Sequence, residues 1–259
     1  KLRREHLVAD FSSQGPTPDN YFKPEIAAPG TNTFTTAPEG KYTFGFGGTS
    51  GATPFVCGST ALIKQLNPDW TPEDVKTALM NNAFILINPN NNLPFTWTDQ
   101  GSGRVDLYAA ATTPLLIKPY SIFIMEKEGK VDLKIKNLLD NDLEIKVTSN
   151  LISQVSGIIF DFLDKEEVFT VKANEELTIP FNYKVDDKTP EGYYDAVIYF
   201  RTNDRTLHIP IVVKKGIPKV PTKILDDISI DPRKISPNGD GIEDTIKFHF
   251  KLNFGEKGL

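Results

Sequence analysis

The sequence predicts a helix-bearing first part, then an all-β antiparallel sandwich, then the start of a further β-module. Three observations carry this organisation. Helical spacing and small residues dominate up to about residue 112. From about residue 118 the apolar period changes to two. The stretch "GIPKVPT", residues 216–222, holds two prolines and reads as a stiff linker before a last alternating run. The expected domains are therefore 1–112, 118–215 and 222–259.

Within the first part, "TPEDVKTALMNNA" (71–83) places Thr71 at an N-cap, Pro72 at the first helical position and Glu73 and Asp74 in the first turn. Val75, Ala78, Leu79 and Ala83 fall on one face, so an amphipathic helix is expected. The stretch before it, from Thr53 to Leu66, is apolar or small on all sides and reads as a helix buried in the middle of a protein. Cys57 lies on it and is expected to be a buried, inert thiol. In the sandwich, Val131, Leu133 and Ile135 alternate with charged residues, as do Leu143, Ile145 and Val147. Leu177, Ile179, Phe181 and Tyr183 follow, then a strand about Val197 to Phe200, then Leu207, Ile209, Ile211 and Val213. His208 and His249 each sit between apolar neighbours in such strands and should face solvent.

Composition excludes several function classes. The chain has 259 residues and a net charge of −5, which disfavours nucleic acid as a partner. No apolar run reaches the roughly 20 residues of a membrane-spanning helix. One cysteine excludes an internal disulfide framework and a cysteine-built zinc site. Both ends, "KLRREHLVAD" and "KLNFGEKGL", read as cuts within structured sequence.

The chemistry concentrates in "GGTSGATPFVCG", residues 47–58. A P-loop would need a lysine where Thr49 stands, and the α/β-hydrolase elbow would need glycine where Ala52 stands. Two readings of Ser50 remain on the residues alone. It caps a helix, or it is a nucleophile at a helix start, where free backbone N–H groups favour a developing oxyanion.

At this point the sequence resembles the subtilisin-like serine peptidases. Gly48, Thr49, Ser50, Gly51, Ala52, Thr53 and Pro54 match the family's G-T-S-x-A-[ST]-P segment. "FSSQGPTPDNYFKPEIAAPG" (11–30), "LNPDWTPEDVKTALMNNA" (66–83) and "GSGRVDLYAA" (101–110) resemble three further family segments in the same order. Gly51 stands where Met is commoner, Phe55 where His often follows the proline, and Cys57 in place of a small residue. The resemblance implies an α/β fold for residues 1–112: the C-terminal part of a parallel-sheet catalytic domain. It implies Ser50 as nucleophile, with Gly48 and Thr49 against the substrate, and requires no cofactor for catalysis. The implied partners are a protein or peptide substrate and the upstream part of the same catalytic domain, and the implied location is extracellular or at the cell envelope. The family's Asp and His precede the serine; here His6 precedes Ser50 but sits in no matching segment, so a fragment inactive by itself is expected.

"EGYYDAVIYFRTNDRTLHIPIVV" (191–213) resembles the fibronectin type III-like sandwich that follows many subtilase domains. "ISPNGDGIEDTIKF" (235–248) resembles the start of immunoglobulin-like modules in secreted or surface-attached bacterial proteins and places Asn238, Asp240 and Asp244 in a Gly-rich turn. Oxygen ligands so spaced suit calcium, and Asn-Gly-Asp-Gly equally suits a tight turn. Two rival readings are a surface scaffold or adhesion protein with a catalytically dead subtilase-like domain, and a non-peptidase acyl hydrolase using the same serine.

Overall fold

The computed structural model describes residues 7–216, 225–231, 245 and 247–252. Residues 1–216 form one compact unit and 217–259 a second. Within the second unit, β14 (Leu225–Asp231) and β15 (Lys247–Leu252) pair antiparallel, and His249 is exposed as expected. The candidate calcium ligands Asn238, Asp240 and Asp244 lie outside the described residues, as does His6.

The first unit opens with a hairpin, β1 (Thr33–Ala37) and β2 (Lys41–Phe46), turning through Glu39 and Gly40, both at positive φ (62° and 69°). Helix α1 runs Thr49–Leu66 and α2 Pro72–Asn81. The two-residue strands β3 (Ile87–Asn88) and β4 (Leu93–Pro94) pair with each other; short helices α3 (Trp97–Gln100) and α4 (Leu107–Ala111) follow. Helix α2 begins as the sequence predicts. The Thr71 side chain accepts from the Asp74 N–H at 3.1 Å, and the Asp74 carboxylate accepts from the Thr71 N–H at 2.9 Å, closing a capping box. Val75, Ala78 and Leu79 are buried on its inner face.

Helix α1 departs from expectation. Its buried residues are Gly51, Ser59 and Ile63, while Phe55, Leu62 and Leu66 are exposed. Cys57 is exposed as well. An apolar helix is covered only on the sides where a partner element packs, and among the described residues α2 and α4 cover one side of α1. The parallel sheet implied for this part is represented among the described residues by one parallel bridge, Ala27 to Arg104.

Beyond residue 112 the chain is antiparallel β. Strands β5 (Leu115–Lys118), β7 (Glu128–Asn137), β9 (Ile158–Phe160) and β11 (Glu176–Val185) build a four-stranded sheet in the order β5-β7-β11-β9. Strands β6 (Ile122–Ile124), β8 (Leu143–Leu151), β10 (Glu167–Val171), β12 (Gly192–Arg201) and β13 (Thr206–Lys215) build a five-stranded one, β10-β8-β12-β13-β6, with β13 and β6 parallel. Inward residues of both sheets, among them Leu133, Ile135, Ile145, Phe181, Phe200 and Ile209, share one core. Alternation predicts this face.

The other face of the five-stranded sheet is covered too. Trp97 is fully buried against Val197 and Val212, and its indole N–H donates to the Ala196 carbonyl at 2.7 Å. His208 is therefore buried rather than solvent-facing: its outward direction is the one the first 112 residues cover. A second set of contacts ties α2 to β5. The Ile117 N–H donates to Asn81 Oδ1 at 2.9 Å, and Lys118 bridges Asp74 at 2.9 Å and Glu73 at 3.2 Å.

Candidate active site

Two glycine loops meet in front of α1. The Gly48 N–H donates to the Gly30 carbonyl at 2.6 Å, and Gly48 itself adopts φ 95° before the helix begins. A Cβ on Gly30 would stand 2.8 Å from the Gly48 oxygen, and one on Gly47 would stand 2.9 Å from the Gly30 oxygen. Only residues without a Cβ allow this backbone-to-backbone approach. It joins the end of "KPEIAAPG" to the start of "GGTS", two segments that lie about 20 residues apart in sequence.

Ser50 stands in the first turn of α1 and is exposed. The N–H groups of Gly51 and Ala52 turn back to the Gly48 carbonyl at 2.9 and 3.3 Å. Those of Thr49 and Ser50 have no backbone partner among the described residues, so the positive end of the helix is open beside the hydroxyl. Pro54, four residues on, has no N–H to return to the Ser50 carbonyl. An open cleft of about 890 Å³ lies alongside; Gly48 and Thr49 line it, as do Ala52, Val56 and Cys57 from α1, while Ser50 is not part of its lining.

Behind the glycine loops, the remaining family-like segments interlock through backbone hydrogen bonds. The Ala27 N–H donates to Gly103 O and the Val105 N–H to Ala27 O, both at 2.8 Å. Arg104 exchanges two bonds with Phe84, at 2.7 and 2.8 Å, so residue 104 is paired on both sides. Gly101 and Gly103 hold φ of 64° and 121°, and a Cβ on either would stand 2.5 Å from the backbone of Glu25 or Phe84. The Gly15 N–H donates to Thr98 O at 2.9 Å, which attaches the "FSSQGPT" segment. Glu25 holds Lys76 and Lys23; burial raises its pKa, and the hydrogen bonds from Lys76 and Lys23 outweigh that and keep it below the ordinary carboxylate range.

The one described histidine of the first unit, His208, does not stand beside Ser50. His208 bonds to the Ser102 carbonyl at 2.8 Å, and burial pushes its pKa down to about 4. The carboxyl of Asp195 receives the Trp97 N–H at 3.4 Å; burial pushes it up to about 6, and the neighbouring Asp99 charge adds to the rise. These residues gather between the first 112 residues and the five-stranded sheet, a joint not expected from the sequence. Its signal is β13, where the alternation Leu207, Ile209, Ile211, Val213 is filled in by His208, Pro210 and Val212, a run with no solvent side. Among the described residues no group of three His, Cys, Asp or Glu side chains is placed to hold a metal ion, and no helix is long and apolar enough to cross a membrane.

Comparison with known proteins gives these segments a family. The subtilase family model (Peptidase_S8) matches residues 2–111. The chain is 28% identical over 264 residues to the minor extracellular protease Vpr of Bacillus subtilis, covering 97% of this chain and 31% of that protein. It is 30% identical over 198 residues to the PI-type proteinase of Lactococcus lactis subsp. cremoris, covering 70% of this chain and 10% of the relative. It is 42% identical over 111 residues to bacillopeptidase F of Bacillus subtilis, covering 40% of this chain and 7% of the relative. The chain thus spans about a third or less of the length of these curated relatives. The serine segment set on an open helix start by the two glycine loops, and the other segments interlocked behind it, all fall within residues 2–111, the part of the chain that matches the subtilase family.

Proposed function

We propose that this chain is part of a secreted or envelope-associated serine endopeptidase in which Ser50 attacks the scissile carbonyl and carries the acyl group. The observation that carries the reading is the Gly30–Gly48 contact, which presents an exposed Ser50 at an open helix N-terminus. The Ser50 N–H, with no backbone partner among the described residues, is read as a donor to the developing oxyanion, and Gly48 and Thr49 as backbone for an extended substrate along the cleft. The general base and its carboxylate are read as coming from outside the described residues, His208 being held at the Ser102 carbonyl, and the chain alone is read as inactive. An extracellular setting is supported by the printed name of one relative, an extracellular protease. The two-sheet β-part is read as the fibronectin type III-like module of such enzymes. The segment around Asn238, Asp240 and Asp244 is read as the start of an immunoglobulin-like module whose turn takes calcium.

The test is intact mass after fluorophosphonate treatment of this chain, of the full-length protein and of its Ser50→Ala variant. Labelling of the full-length protein that vanishes in the variant, with none on the chain alone, is the expected result. A folded full-length protein that stays unlabelled overturns the peptidase reading in favour of a scaffold. Turnover of simple esters but not of a peptide panel overturns it in favour of an acyl hydrolase.

A further inference from the structure

The joint between residues 7–112 and the five-stranded sheet buries two titratable groups of opposite kind. His208, on β13, gives its Nε2 hydrogen to the Ser102 carbonyl, which can only accept; burial favours the neutral ring and outweighs that bond, which favours the charged one. Its ring stacks on Trp97 with centroids 6.2 Å apart. Asp195, on β12, lies partly buried at the other end of Trp97, bonded to that residue's N–H and close to Asp99. The charged groups on the same sheet face are Lys214 and Arg201, with Glu144 and Lys146 on the neighbouring β8, where Lys146 pairs with Glu166. Lys214 bonds to Asn20 and lies over Tyr193, and Arg201 lies over Tyr199 and pairs with Glu166. From the first part, the facing groups are Asp99 toward Asp195 and the Ser102 carbonyl toward His208. Neither Asp195 nor His208 has an ion-pair partner among the described residues.

We propose that Asp195 and His208 form a proton-compensated latch, which keeps the subtilase segment seated on the β-sheet through the acid range. On closing, the carboxyl gains a proton as the imidazole loses one, so the joint binds the same number of protons open or shut. The latch reaches toward Ser50 through backbone: Ser102 is held by His208, the adjoining Gly103 receives the Ala27 N–H, and three residues later Gly30 receives the Gly48 N–H. His208 is a positioning residue in this scheme. The inference does not require Ser50 to be a nucleophile.

The signs follow from the two directions. His208 goes from 6.5 to about 4 on closing, so its protonation favours the open joint increasingly as pH falls from 6.5 to 4. Asp195 goes from 3.8 to about 6, so its protonation favours the closed joint as pH falls through 6 toward 3.8. Each unit between the two states' values is a factor of ten in the opening constant. Between pH 7 and 4 this gives a rise of about 100-fold from His208 and a fall of about 50-fold from Asp195, a net change of about 2-fold.

The measurement is hydrogen–deuterium exchange by mass spectrometry on the whole 259-residue chain between pH 7 and 4, corrected for intrinsic exchange. Peptides across 25–31, 97–105 and 206–213 are followed in the wild type, Asp195→Asn, His208→Gln and the double variant. Gln keeps an N–H for Ser102 without a titration. Protection should stay within a few-fold in the wild type and the double variant, fall by about 100-fold toward pH 4 in Asp195→Asn, and rise by tens of fold in His208→Gln. Equal slopes in the two single variants, or a steep wild type, would overturn the proposal. Should a variant fail to fold, NMR titration of the His208 imidazole in the wild type decides: neutrality down to about pH 4 supports the latch, and an ordinary titration near pH 6.5 refutes it.

Discussion

Replacing Trp97 by alanine removes the side chain that fills the joint. Trp97 is fully buried, packs on Val197 and Val212, and donates its indole N–H to the Ala196 carbonyl. Truncation of a buried aromatic costs about 3–5 kcal/mol. Trp97→Phe separates two contributions: it keeps most of the apolar contact but leaves a buried carbonyl without that donor, at about 1–3 kcal/mol. In a cooperative unit of this size each kcal/mol lowers the melting temperature by about 2–4 °C, so alanine should cost about 6–20 °C and phenylalanine about 2–12 °C. Calorimetry of the whole chain gives both values, and hydrogen exchange shows where the loss falls. Because Asn81 and Lys118 still hold α2 to β5, protection should drop first over residues 95–105 and 195–212. An alanine variant that loses less than about 1 kcal/mol, or a loss spread evenly through the sandwich, would refute the claim that Trp97 closes the joint.

Four further outcomes are expected. Gly103→Ala should destabilise by more than the usual glycine-to-alanine effect, since φ 121° and a Cβ 2.5 Å from the Phe84 oxygen strain it at once; urea unfolding measures this. Thr71→Ala should cost about 1 kcal/mol through the lost cap, read by the same titration. Asp74 is held at about 2: burial acts against this, and hydrogen bonds from Lys118 and Thr71 outweigh it. Its contribution is therefore present above the ordinary value of 3.8 and is lost as pH falls from there toward 2, a loss that Asp74→Asn should abolish in acid melts. Cys57, exposed on α1, should be alkylated by iodoacetamide in the native chain as fast as in urea; protection would mean that its face is covered.

Elements governed by local chemistry were legible from residues alone. The cap at Thr71 and the inner face of α2 follow from side chains within a few residues of each other, and the core face of the sandwich follows from alternation. The glycine-rich serine segment was legible as a helix start for the same reason. What escaped was set by distant chain. His208 sits in an alternating strand and faces outward as the period demands, yet that side meets Trp97 and Ser102, about 110 and 106 residues earlier. Cys57 and Phe55 lie on an apolar helix whose burial depends on what packs against it, which a pattern along one strand of sequence does not carry. The joint's partly buried Asp195 was hidden similarly, as a single charge in an otherwise ordinary strand.

The doubly paired residue at position 104 has a consequence of another kind. Its neighbours at 27 and 84 are held by main-chain groups, so this part of the fit depends on how many residues run from Gly101 to Val105, while the Arg104 guanidinium lies over the Phe84 ring. An insertion of one residue would shift the count by half a pleat and unseat the strands on both flanks together.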